Sequence, residues 1–330
     1  SLQKTFGRQV LPVQLPIGAE KDFVGVIDLV RLKAYRFERD GSGKGKEVPI
    51  PSELATDAAE ARTRLVEAVA EADEHLLEKF FEEGTLEAAD LEAGLKTAIA
   101  SRKIFPVTVG SSLHLVGCST LLDFLIDFAP SPAEHPYPAR TIDGKTQMLE
   151  ADPAKPVVAI VFKTLNDPFT GRLSILRVIS GTLQNDAQLW NVRAEEAEKT
   201  HGLVHLQGKQ GTATPRLIAG DIGGVPKLRL ALSGDTLAAK EQALAADWIQ
   251  IQEPAMSFAV EAKSKGDDEK SGDALHRWIE EDPSLRAGRD PQTHEFLLSG
   301  SGQLHVEIAL ARMKRRSNVE VILHPPKVPY

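Results

Sequence analysis

The chain has 330 residues, enough for two or three cores, with 42% hydrophobic side chains, a single cysteine and a formal net charge of −8. One cysteine, Cys118, excludes an intramolecular disulfide and a multi-thiolate zinc site, and no apolar run approaches membrane-spanning length. The charge is unevenly placed: from Glu53 to Lys96 thirteen Asp and Glu stand against four Lys and Arg, a local −9 that leaves the remainder near +1 and open to an RNA partner.

Val10 to Glu38 alternates apolar and polar residues and predicts two or three strands, broken at Pro16 and Gly18. Gly41 to Lys46 (GSGKGK) reads as a solvated loop, because it lacks the spacing of a phosphate-binding P-loop. Two helices are expected from Ser52 to Ser101. Ser52 would cap the first, Leu65, Val69, Ala72, Leu76 and Phe80 would form its buried face, and Gly84 would end it. Ile104 to Val109 predicts a strand and Cys118 to Phe128 a helix. The strand, the Gly-Ser loop and the helix together form the last unit of a doubly wound α/β domain, with the loop at the ligand end of its sheet. Gly144-Lys145-Thr146 is the one G-K-[ST] triplet, but Ala139 stands where a P-loop needs its first glycine and a proline-rich linker (130–140) precedes it.

From Pro156 to Leu237 short Val-, Ile- and Leu-rich runs alternate with Asn166-Asp167-Pro168, Gly171, Ser180-Gly181, Asn185-Asp186, Gly220-Asp221 and Ser233-Gly234-Asp235. That pattern predicts a small closed β-barrel. The run Arg193 to Leu206 reads as a polar loop followed by a strand. His201 and His205 lie four apart on it without a third ligand at suitable spacing, so no metal is assigned. After Asp247 the order strand, helix, strand, strand, helix, strand predicts a ferredoxin-like βαββαβ unit, with Leu275, Trp278 and Ile279 facing inward from its first helix. Val306, Ala309, Leu310 and Met313 would do the same from the second helix. Arg312, Lys314, Arg315 and Arg316 gather at that helix's C-terminal end, where the dipole favours cations. A contact with phosphate or an acidic protein patch through Arg312, Arg315 and Arg316 is the functional alternative, and exchanging the three for Gln is expected to cost little stability.

The wording of these segments resembles the elongation factor G family of translational GTPases. The resemblance lies in KTLNDPFTGRLSILRVISGTL, AGDI and SGDTL of the barrel, and in EDPSL, SGSGQLHVE and PPKVPY of the last segment. It departs at Gln303, where the family usually has Glu. The resemblance implies a fold of three parts. Residues 1–132 would be the C-terminal part of a GTPase domain with an inserted α/β subdomain, 133–250 a translation-factor β-barrel, and 251–330 the ferredoxin-like domain. It also implies that the loop Ser111, Ser112, Leu113 reads guanine through its backbone in the intact parent, Ser112 replacing the usual Ala. No P-loop and no N-K-x-D motif occurs, so the chain is expected to be a fragment without catalytic residues, needing neither GTP nor magnesium, whose parent uses both. The implied parent is a monomeric cytoplasmic GTPase that binds ribosomal RNA and proteins, including the stalk protein beside the acidic helices, and drives translocation. The competing readings are a nucleotide-free scaffold module for RNA or protein, and a ribosome-recycling or ribosomal-protection relative.

Overall fold

The computed structural model describes residues 2–141, 143–167, 171–208, 210–242, 244–247, 251–263, 268–317 and 319–327. Positions 168–170, 264, 267, 318 and 328–330 of the predicted turns, strands and closing run lie outside the described residues. The chain forms two compact units, residues 1–131 and 132–330.

In the first unit a short helix, α1 (Leu2–Phe6), leads into β1 (Val10–Pro12), which pairs in parallel with β6 (Phe105–Val107). Everything between them is an insertion. β2 (Gln14–Ile17), β3 (Gly25–Asp28), β4 (Lys33–Phe37) and β5 (Gly45–Val48) form an antiparallel meander, and Gly45 and Lys46 of the expected loop belong to its last strand. Three helices follow where two were expected: α2 (Ala55–Glu71), α3 (Glu74–Glu83) and α4 (Ala88–Ala100). The break is at Asp73, whose carboxylate accepts the amides of His75 (3.0 Å) and Leu76 (3.1 Å) and so starts a new helix inside a continuous apolar stripe. Gly84 ends α3 in the left-handed conformation, φ 71°. Ser52 does not cap α2; it lies in a 3-10 turn and Leu54 occupies the cap. Leu65, Val69, Leu91 and Leu95 of the helices pack with Val13, Ile27 and Leu29 of the meander and Phe128 of α5 (Cys118–Phe128) in one core.

The second unit opens with β7 (Tyr137–Arg140), which pairs on one side with β8 (Thr146–Leu149) and on the other with a short β19 (Ala245–Ala246). Its main strands are β9 (Val158–Asp167), β10 (Gly171–Ser180), β11 (Thr182–Gln184), β12 (Gln188–Asn191), β13 (Glu196–Lys199), β14 (Val204–Gln207), β15 (Gln210–Ala213), β16 (Arg216–Ile218), β17 (Ile222–Pro226) and β18 (Thr236–Ala238). The expected closed ring is not what forms. Eight strands make one sheet in the order β13-β12-β18-β9-β10-β17-β14-β15, whose end strands pair with no further strand among the described residues, and β11-β16 is a separate ribbon. After a bulge between Val178 and Ser180, Gly181 adopts φ 77° and carries the chain from β10 out of the sheet into β11. A Cβ there would lie 2.5 Å from the Lys155 carbonyl oxygen, so only glycine fits. Leu183 and Leu217 of the ribbon still reach the core of Val161, Leu176, Val178, Val225 and Leu237 and cover the open side.

The last segment runs β20 (Met256–Ala262), α6 (Asp268–Glu281), β21 (Arg286–Arg289), β22 (Phe296–Gly300), α7 (Gln303–Ser317) and β23 (Val321–His324), with the antiparallel order β21-β22-β20-β23. This is the βαββαβ unit read from the sequence. Leu275 and Trp278 of α6 and Val306, Ala309 and Met313 of α7 pack against Phe258, Val260, Phe296 and Leu298 of the sheet.

Candidate functional site

Two places carry side chains or backbone that the sequence singled out. The first is the loop between β6 and α5. Ser111 N–H donates to the Val116 carbonyl (2.8 Å) and the pair forms an isolated bridge, so residues 112–115 are pinched into a tight turn. Leu115 takes φ 53° and Gly117 φ 81°; a Cβ on Gly117 would meet the Val109 carbonyl oxygen at 2.6 Å. The Val109 amide is held by Gln14 Oε1 (3.3 Å), whose side chain is buried. The turn thus presents Ser112 and Leu113 outward, and Leu113 is 84% exposed. No acceptor meets their amide N–H groups among the described residues. Such a turn can donate two neighbouring N–H groups to a carbonyl oxygen, but it contains no lysine or carboxylate with which to hold phosphate or a cation.

The second place is the C-terminal end of α7, where Arg312, Lys314, Arg315 and Arg316 are all exposed. They do not form one group. Lys314 Nζ pairs with Glu320 at 2.7 Å, and Lys263 pairs with the same carboxylate at 2.8 Å. These two ammonium groups hold the Glu320 carboxyl at about 2, well below its ordinary value. Arg316 turns inward: its Nη1 lies 3.1 and 3.2 Å from the two oxygens of Glu281, and its guanidinium stacks 4.9 Å from the Trp278 ring. Arg316 thus has partners within the molecule that the sequence reading did not name, while its side chain stays 47% exposed. Arg312 and Arg315 have no partner among the described residues.

Glu281 is the residue that sequence reasoning missed. It is 7% exposed and also accepts the backbone amide of Asn166 on β9 at 2.7 Å. The available signal was Glu280-Glu281-Asp282 at the end of a helix, where the dipole disfavours acids. The two spaced histidines are not brought together: His201 Nδ1 lies 2.5 Å from Asp186 while His205 stands on β14. Among the described residues no group of three His, Cys, Asp or Glu is placed to hold a metal, and no helix is long and apolar enough to cross a membrane.

Comparison with known proteins places these elements. Residues 156–240 match the family model of elongation factor G domain 2, and residues 251–325 that of elongation factor G, domain III. Elongation factor G of Mycoplasma pneumoniae is 35% identical over 331 residues, an alignment that covers all of this chain and 48% of the relative. A crystal structure from Thermus thermophilus superposes with a TM-score of 0.82 at 31% identity, over 99% of this chain and 46% of that one. The chain spans about half the length of either.

Proposed function

The chain belongs to the elongation factor G family, and on that premise we propose that it is part of a cytoplasmic, monomeric GTPase that binds the ribosome and promotes GTP-dependent translocation of tRNA and mRNA. The observation that carries this reading is the likeness to a curated elongation factor G along the whole chain, through the first unit as well as the barrel and ferredoxin-like segments. A nucleotide-free scaffold would need only the latter two. In such a protein the hydrolysis of GTP would supply the free energy of the cycle, and magnesium would neutralise the phosphates. The amides of Ser112 and Leu113, aided by the fold of Ser111, suit the guanine carbonyl, whereas the phosphates and the metal would be held by residues that this sequence does not contain.

Within this reading the engagement surfaces divide by charge. The exposed acidic face of α2 and α3, which carries Glu71, Glu74 and Glu78, is assigned to a protein contact, the ribosomal stalk protein. Arg312 and Arg315, the two cations of α7 without a partner among the described residues, are assigned to an anionic ribosomal surface. The test replaces both with Gln in the intact protein and follows ribosome binding against salt. Each lost phosphate contact should flatten the logarithmic slope by roughly one. An unaltered affinity and slope would remove the assignment.

A further inference from the structure

α6 ends with its charges opposed to its dipole. Its last turn contains no basic residue, and Glu280, Glu281 and Asp282 stand in sequence where cations are favoured. Each carboxylate is engaged by another element. Glu280 lies 3.8 Å from Arg172 of β10, Glu281 binds Arg316 of α7 and the Asn166 amide of β9, and Asp282 lies 3.1 Å from His305 Nε2 near the start of α7. The missing cation comes from the barrel. Lys163 Nζ of β9 donates to the Glu281 carbonyl at 2.5 Å, and the Asn166 side-chain amide donates to the Arg277 carbonyl at 3.0 Å. Hydrogen bonds and an ion pair thus cross the seam between β9–β10 and α6.

We propose that β9 completes the C-terminus of α6 and, through Glu281, sets the position of the basic end of α7. Lys163 and Glu281 are then positioning residues. Lys163 and the Asn166 amide fix the last turn of α6; the Glu281 carboxylate, held on one side by that amide, holds Arg316 on the other; and Trp278 keeps the guanidinium flat against the same helix. Arg312 lies one turn before Arg316, and Arg315 directly precedes it, so their placement depends on a contact made by the barrel. The coupling stands on this geometry; only its consequence for ribosome binding rests on the function proposed above.

Hydrogen exchange on the whole chain tests it without a ribosome, using Lys163→Met, Lys163→Arg and Glu281→Gln. Lys163→Met should speed exchange about tenfold in the last turn of α6 and at residues 312–316, while β10 and β18 in the barrel core keep their protection. Lys163→Arg keeps the cation and should restore most of the protection. Glu281→Gln keeps an acceptor for Asn166 but loses the ion pair, so it should loosen residues 312–316 alone; this variant decides the matter if Lys163→Met does not fold. Unchanged exchange at 312–316, acceleration spread evenly over β20 to β23, or Lys163→Arg behaving like Lys163→Met would each overturn the proposal.

Discussion

Leu113 is the residue on which the nucleotide reading is most open to attack, because that reading has the loop give guanine a backbone N–H rather than a side chain. Leu113→Pro removes that donor, whereas Leu113→Ala keeps it. In the intact protein the proline variant should raise the GDP dissociation constant about tenfold, the worth of one hydrogen bond to a ligand, and the alanine variant should leave it unchanged. Equal losses in both would show that the side chain or the loop's shape matters instead. The strand, loop and helix order put the loop at the ligand end of a sheet, but only the resemblance to the family singled it out; by itself its Gly-Ser-Ser start is an ordinary turn. The sequence did not show Glu198. That carboxylate sits in a run that reads as polar loop, yet it is buried on β13 and accepts the amides of Arg229 (3.0 Å), Leu230 (2.6 Å) and Ala231 (2.6 Å). A buried acid serving backbone amides some thirty residues away leaves no local pattern to read.

At the scale of elements, α7 divides into a structural and a free cation set. Arg316→Gln should cost about 1–2 kcal/mol in chemical denaturation, because it leaves the buried Glu281 carboxylate short of its counter-charge. Arg312→Gln with Arg315→Gln should stay within about 0.5 kcal/mol of the parent chain. Equal costs would mean that Arg316 is no more embedded than its neighbours. The inward stripe of α7 was legible from its three- and four-residue spacing, but the division of its arginines was not, since the partners Glu281 and Trp278 lie on α6. The acidic pair α2 and α3 was legible as charge and periodicity. Its break was hidden because the apolar stripe runs through Asp73, and only the capping hydrogen bonds reveal the new start. Glu71→Lys, Glu74→Lys and Glu78→Lys together should lower stalk-dependent stimulation of GTP hydrolysis by the intact protein. Unaltered stimulation would make this face merely solvated.

For the whole molecule, the order of segments was readable because each obeys its own period: alternation in the strands, three- and four-residue spacing in the helices, turn residues between them. The closure of the barrel was not, because it turns on whether the end strands β13 and β15 meet, a pairing between separate strands that no local period records. What is proposed for the intact protein is translocation, rather than the recycling or protection of ribosomes. The direct measurement adds the intact protein and GTP to ribosomes carrying peptidyl-tRNA in the A site and follows its reactivity with puromycin. If the intact protein is a translocase, the peptidyl-tRNA becomes reactive on a GTP-dependent, single-turnover time course. Ribosome-stimulated GTP hydrolysis with no gain in puromycin reactivity would contradict it.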